Sequence, residues 1–186
     1  MNRSVKITSA SEGTVHPAVS LTVEDMRLPP SEWVPNHSHL PVLVYRNAVE
    51  GGDLAALFEE RFAGNGWGGI WRDGIFDYQH YHTGAHEVLG IAEGRARVQI
   101  GGPSGPLIDV AAGDCLVLPA GTGHMRVEAS RDFLVVGAYP PGQEADIQTG
   151  PASEPQLDKI ARLPLPETDP LEGRDGPLLR YWRHER

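Results

Sequence analysis

From Gly66 onward the chain is cut into short apolar runs by turn-forming residues, and this segmentation limits the fold more than any other feature. The runs are Gly68–Arg72, Ile75–His82, His86–Ile91, Arg95–Ile100, Leu107–Val110, Cys115–Leu118, His124–Glu128 and Asp132–Tyr139. Between them stand Thr83-Gly84, Glu93-Gly94, Gly101-Gly102-Pro103, Gly113-Asp114 and Ala120-Gly121. Runs this short are too brief for helices and suit strands, so the pattern predicts an all-β sandwich or barrel. The 22 glycines and 16 prolines supply the turns such a fold needs.

Upstream, Pro41–Arg46 reads as a strand entering the core. Asp53 is a good N-cap, Leu54, Leu57, Phe58 and Phe62 recur at helical spacing, and Gly64 supplies a stop, so one helix is predicted near 53–63. Residues 1–30 are polar and turn-rich and predict a loosely ordered arm. The barrel is expected to occupy 31–142. The remainder, 143–186, is rich in Pro, Glu and Asp and predicts an irregular extension. Leu178, Leu179, Tyr181 and Trp182 would dock it on the barrel or on a second subunit. No internal repeat is visible, so one barrel is expected.

The 186 residues suffice for one domain with its own core, and 40% hydrophobic with 22% charged residues is a soluble balance. A net charge of -9 without a basic run argues against nucleic acid as a partner. Met1 to Pro17 lack the apolar core of a signal peptide, and no apolar stretch approaches the roughly 20 residues a membrane span needs. A cytoplasmic location without membrane association follows as the expectation. Cys115 is the single cysteine, so no internal disulfide can form; its apolar run makes it a buried hydrophobe rather than a nucleophile.

The chemistry concentrates in Gly74–Gly94. His80 and His82 stand two apart in an expected strand, so both imidazoles would leave one face. Thr83-Gly84-Ala85 can reverse the chain, and Glu87 at the start of the returning strand could reach the same point. Two imidazoles and a carboxylate suit a borderline divalent ion. A fourth ligand would come from His124, which opens a strand after the bend at Pro119 and Gly121.

These residues resemble the two motifs of the cupin superfamily. The first is Gly, five residues, His, one, His, three or four, Glu, six, Gly, matched by Gly74, His80, His82, Glu87 and Gly94. The second is Gly, five, Pro, one, Gly, two, His, three, Asn, matched by Gly113, Pro119, Gly121 and His124, with Glu128 in place of Asn. Nine of ten fixed positions agree, and the departure falls on a residue that is not a ligand. The words GWGGIWRDGIF and VVGAYPPGQ look similar to the YjlB-like bacterial cupins. The resemblance implies a cupin β-barrel of jelly-roll type, one Fe, Mn, Ni or Zn ion per chain on His80, His82, Glu87 and His124, and a homodimer.

Other residues have readings of their own. Alternation turns His86 away from the face that carries Glu87. His37 and His39 form a pair with no carboxylate at ligand spacing and read as loop residues; His16 and His184 read as solvent histidines. Trp67 and Trp71 read as core or rim packing, and Arg95 and Arg97 as the outer face. Tyr78 shares the alternation of His80 and His82, and Arg126 that of His124, so both are candidate catalytic residues facing the interior. An inward arginine needs a partner, either an internal carboxylate or an acidic substrate.

Three histidines and one carboxylate leave positions open for a ligand, whereas structural zinc sites are closed. The leading expectation is therefore a metal-dependent enzyme, an oxygenase-type oxidoreductase acting on a small oxygen-chelating and acidic substrate. A non-catalytic cupin that binds a small ligand or metal, and a metal-assisted isomerase of sugars or sugar acids, stand as alternatives.

Overall fold

A computed structural model of the chain describes residues 21–183. Strands β1 (Thr22–Met26), β2 (Val42–Arg46), β3 (Gly68–Asp73), β4 (Glu87–Glu93), β5 (Arg95–Ile100), β6 (Leu107–Ala111), β7 (Cys115–Leu118), β8 (His124–Ala129) and β9 (Leu134–Tyr139) make up two antiparallel sheets. One has six strands in the order β1-β2-β7-β4-β9-β3, and the other three in the order β6-β5-β8. β1–β2 and β5–β6 pair as sequence neighbours, while the other pairings join strands distant in sequence, in keeping with a cupin-type fold.

The six-stranded sheet is buried on both faces, which explains why β2, β4, β7 and β9 read as continuous apolar runs. Period-two alternation divides each strand between two cores. Val42, Val44, Leu89, Ile91, Leu116 and Leu118 face the three-stranded sheet and meet Val98, Ile100 and Val110 there. Leu43, Tyr45, Val88, Val117 and Val136 face outward, under a helical layer. In that layer α1 (Leu54–Gly64) is capped by Asp53, whose carboxylate accepts from Ala56 N at 3.1 Å. It buries Phe58 and Phe62 against the sheet. Gly90 lets this helix approach, since a Cβ there would stand 2.6 Å from the Phe58 ring.

The extension beyond residue 142 packs on the same barrel. It carries α2 (Glu154–Arg162) and α3 (Pro177–Arg183), so it is more regular than its composition suggested. Leu171, Leu178, Leu179 and Trp182 join the outer core, and Trp182 Nε1 donates to Pro41 O at 3.0 Å. Asp169, fully buried, anchors the turn before α3: its carboxylate accepts from Tyr45 Oη at 2.6 Å and from the amides of Leu171, Glu172 and Leu178 at 2.8–3.0 Å.

Two local expectations need correction. Thr22–Met26, placed in the loosely ordered arm, is an edge strand paired in register with β2; residues 1–20, and with them His16, lie outside the described residues, as does His184. Ile75–His82 is not a continuous strand. It is an irregular segment beside β8, tied by Arg126 N to Phe76 O at 2.8 Å and by the reciprocal His80–His124 bridge. No helix among the described residues is long and apolar enough to cross a membrane.

Candidate metal centre

The site lies at one end of the space between the sheets. Glu87 opens β4 on the face that carries Leu89 and Ile91, so its carboxylate enters from the six-stranded sheet. His124 opens β8 opposite Ile100 and enters from the three-stranded sheet. The segment before β4 lies against β8 through the His80–His124 bridge, while Tyr81 pairs with Gln148 on the far side. With Tyr81 packed among Ala120 and Ile160, its neighbours His80 and His82 both turn toward His124. The bend that delivers His124 depends on Gly121, whose φ of +86° puts it in the left-handed region.

His80, His82 and His124 are buried, and one ring nitrogen of each lies within 4.8 Å of the others. Glu87 Oε2 stands 3.3 Å from His82 Nε2 and 3.2 Å from His124 Nε2, close to both but aligned for a hydrogen bond with neither. Each histidine has its other nitrogen committed to a main-chain carbonyl. Nδ1 of His80 faces Tyr78 O at 3.1 Å, Nδ1 of His124 faces Thr122 O at 3.0 Å, and Nδ1 of His82 faces Asp146 O. A carbonyl can only accept, so each Nδ1 carries a proton, and in the neutral ring that a metal requires each Nε2 presents a lone pair. Three lone pairs and an unsatisfied carboxylate oxygen converging in a buried space are the donor set of a metal site, with second-shell carbonyls fixing the tautomers. The residues fit a metal ion.

The electrostatics follow from the same contacts. Burial, then the neighbouring His124, holds the His80 ring down at about 3. Burial also opposes charge on His82, but the Glu87 carboxylate outweighs it and lifts that ring to about 9. Burial works against the Glu87 charge, yet His82 and His124 keep its carboxyl well below the usual carboxylate range.

Beside the cluster opens a cavity of about 240 Å³. Its wall is mostly apolar, from Trp71, Ile75, Phe76, Leu89, Tyr139 and Ile147, with Asp73 the carboxylate besides Glu87. Trp71 Nε1 donates to Tyr139 Oη at 2.9 Å, and the indole lies flat over Gly137, where a Cβ would stand 2.0 Å from its ring. Burial, then the Glu87 carboxylate, pushes the Tyr139 hydroxyl up.

Neither candidate catalytic residue is in that wall. Tyr78 is exposed at the mouth, stacked on Phe76, because the irregular backbone of residues 75–79 does not follow strand alternation. Arg126 does share its strand face with His124, but its Nε donates to Ile75 O at 3.2 Å, behind the segment that walls the cavity. One nitrogen of the guanidinium is thus engaged by main chain, and Arg126 does not line the cavity beside the cluster.

The remaining residues sort simply. His86 turns to the opposite face, where it is fully buried near Trp182 and accepts from Ala120 N at 3.0 Å. His37 caps its own loop, with Nδ1 accepting from Leu40 N at 3.0 Å, and His39 is exposed. Glu128 points outward and pairs with Arg97 at 3.2 Å, so the departure from the second motif does not reach the site. Trp67 is core, and burial raises the Cys115 thiol well above its ordinary value.

Sequence reasoning missed Tyr139 and the strap of residues 143–150. Asp146 holds that strap: its carboxylate accepts from Thr83 N and Oγ1 at 2.7 Å and from Gly84 N at 2.9 Å, while its carbonyl orients His82. VVGAYPPGQ was the available signal for Tyr139; nothing local marks Asp146.

Among curated proteins, the chain is 40% identical over 151 residues to the uncharacterized protein YjlB of Bacillus subtilis, covering 80% of this chain and 90% of that one. The chain belongs to the YjlB family of cupins. No protein-family model matches it. Solved structures similar to this YjlB-family cupin include procruciferin from Brassica napus, at 18% identity over 60% of this chain and 23% of that one, with a TM-score of 0.35. The DMSP lyase DddQ from Ruegeria pomeroyi matches at 14% identity over 69% and 50%, with a TM-score of 0.34. Acireductone dioxygenase from Bacillus anthracis, solved with cadmium in its active centre, matches at 19% over 52% and 61%, with a TM-score of 0.33. The chain thus spans between 23% and 61% of these proteins' lengths.

Proposed function

We propose that this YjlB-family cupin is a metal-dependent enzyme that holds one divalent ion on His80, His82, Glu87 and His124 and acts on a small oxygen-chelating substrate. The observation that carries the reading is the convergence of three Nε2 lone pairs, each imidazole pinned through Nδ1 to a carbonyl, on the unsatisfied Oε2 of Glu87. Fe, Mn, Ni and Zn all suit imidazole and carboxylate donors. When bound, the ion supplies Lewis acidity, and iron supplies redox chemistry with O₂ as well.

The chain's own part is to bind, orient and exclude water. A cavity of about 240 Å³ lies below the roughly 300–1,000 Å³ typical for drug-sized ligands, which favours a small substrate. Its apolar wall keeps the polar end of that substrate directed at the ligand cluster. Tyr139 Oη, beside Glu87 and already accepting from Trp71, is a hydroxyl positioned to orient an oxygen of the substrate.

A screen of oxygen-chelating compounds on apo-protein reloaded with Fe(II), Mn(II), Ni(II) or Zn(II), in air and without it, tests the reading. Turnover with Fe(II) that requires air identifies an oxygenase, and turnover in both conditions an isomerase or lyase. Metal binding with no turnover of any compound would leave a binding protein and sink the enzyme. A homodimer in the cytoplasm completes the proposal. Light scattering should give twice the 20.2 kDa of one chain, and the single-chain mass at micromolar concentration would reject the dimer.

A further inference from the structure

Large hydrophobic side chains that stay exposed number six among the described residues, and they are unevenly placed. Of the six, Phe76 (41%) and Ile147 (52%) line one cavity, and Tyr78 (43%) stacks on Phe76. Scattered exposed hydrophobes need no explanation, but a cluster at the rim of a pocket marks a binding surface. Phe76 and Tyr78 stack with ring centroids 5.0 Å apart and planes 10° from parallel, and the Phe76 ring meets His80 edge-on at 5.0 Å. Trp71 and Tyr139 continue the aromatic surface inward, with their polar atoms turned to each other. Aromatic side chains therefore line the way from solvent to the edge of the ligand cluster, with Phe76 and Tyr78 as the stacked pair.

We infer that Phe76 and Tyr78 form an aromatic platform that selects substrates with a planar, uncharged ring or conjugated system carrying two adjacent oxygens. The oxygens face the histidine cluster while the ring lies along Phe76. Planarity matters because offset stacking needs a flat partner. Lack of charge on the ring matters because the ring would share the wall with the Asp73 carboxylate, and no Lys or Arg is among the lining residues. This selectivity rests on the metal-site reading above, and its test separates the two.

The probes are acetohydroxamate and benzohydroxamate, which share one chelating group and differ in a methyl against a phenyl. Binding of each to the metal-reloaded full chain is measured by calorimetry for the wild type, Phe76→Ala and Tyr78→Ala, with metal content and light-scattering mass recorded for each protein. The wild type should prefer benzohydroxamate by roughly tenfold or more. Phe76→Ala should bring the two probes close to parity, and Tyr78→Ala should reduce the preference less. Metal content should stay unchanged in both, and acetohydroxamate affinity should fall much less than benzohydroxamate affinity. Equal binding of the probes to the wild type, or a preference that survives in Phe76→Ala, overturns the platform and leaves the metal site standing. Loss of dimer mass in the variants with the preference intact also overturns it, assigning the pair to a subunit contact. If the wild type takes up no metal, the metal-site reading fails and takes the platform with it; metal uptake with neither probe bound overturns the platform alone.

Discussion

The main-chain carbonyl of Asp146 accepts the Nδ1 proton of His82, so a residue in the C-terminal extension sets the tautomer of a candidate ligand in the first motif. The Asp146 side chain makes this possible by gathering the donors of Thr83 and Gly84 and that of Gln148 Nε2 at 2.8 Å. The strap and the histidine segment are thereby one unit.

Asp146→Ala should loosen that unit without touching any donor atom of the cluster. Metal affinity, measured by chelator competition, should fall about tenfold, the size of effect seen when outer-shell partners are lost. Urea unfolding should show a loss of about 2 kcal/mol, since several hydrogen bonds to a partly solvated carboxylate disappear. Asp146→Asn, which keeps one accepting oxygen, should fall between the two. Wild-type affinity in Asp146→Ala would show that the strap does not position His82.

Asp169 should matter for stability and not for the site. Removing its carboxylate strands the Tyr45 hydroxyl and three amides in the outer core, on the opposite face of the sheet from Glu87. Asp169→Ala should cost on the order of 4 kcal/mol, and Tyr45→Phe about 1 kcal/mol, because the latter leaves the amides satisfied. Limited proteolysis should cut first between residues 165 and 177 in Asp169→Ala. Metal content in the folded fraction should not change, and a parallel loss would mean that the two faces are coupled.

Acid should destabilise the fold partly through His37. Burial, then the neighbouring His39, lowers its ring from 6.5 to about 4, and its Nδ1 lone pair accepts two amides. A lowered folded value means that the unfolded chain takes up the proton first. The neutral ring's contribution is therefore complete above pH 6.5 and is lost as pH falls from there toward 4. His37→Asn, which retains an acceptor but does not titrate, should show a shallower loss of urea midpoint across that window. Identical slopes for the two proteins would remove His37 from the account.

How much of this was legible follows from where each signal resides. β5 and β7 are bounded by turn residues and coincide with their apolar runs, Arg95–Ile100 and Cys115–Leu118. Alternation alone separated Glu87 from His86. It misled at Tyr78, because alternation holds only within a strand and residues 75–79 are not one. β1 escaped notice because an edge strand reading Thr-Val-Glu-Asp-Met buries little. α2 is polar and buries only Ile160, although Gln156 Oε1 caps Ser153 N at 2.8 Å in a pattern the sequence does contain. Asp146 could not be read locally, since its partners lie in another segment and meet it only when the extension has docked.

The central claim is that His80, His82, Glu87 and His124 form one metal site, and the paired variants His124→Ala and His86→Ala test it most directly. Both remove a buried histidine, but only His124 offers its Nε2 to the cluster, while His86 lies under Trp182 on the other face. Metal content should be measured after reloading each folded protein with a single divalent ion. The account predicts close to one ion per chain in the wild type and in His86→Ala, and a loss of most of it in His124→Ala. Equal retention in the two variants, or a greater loss in His86→Ala, would contradict it.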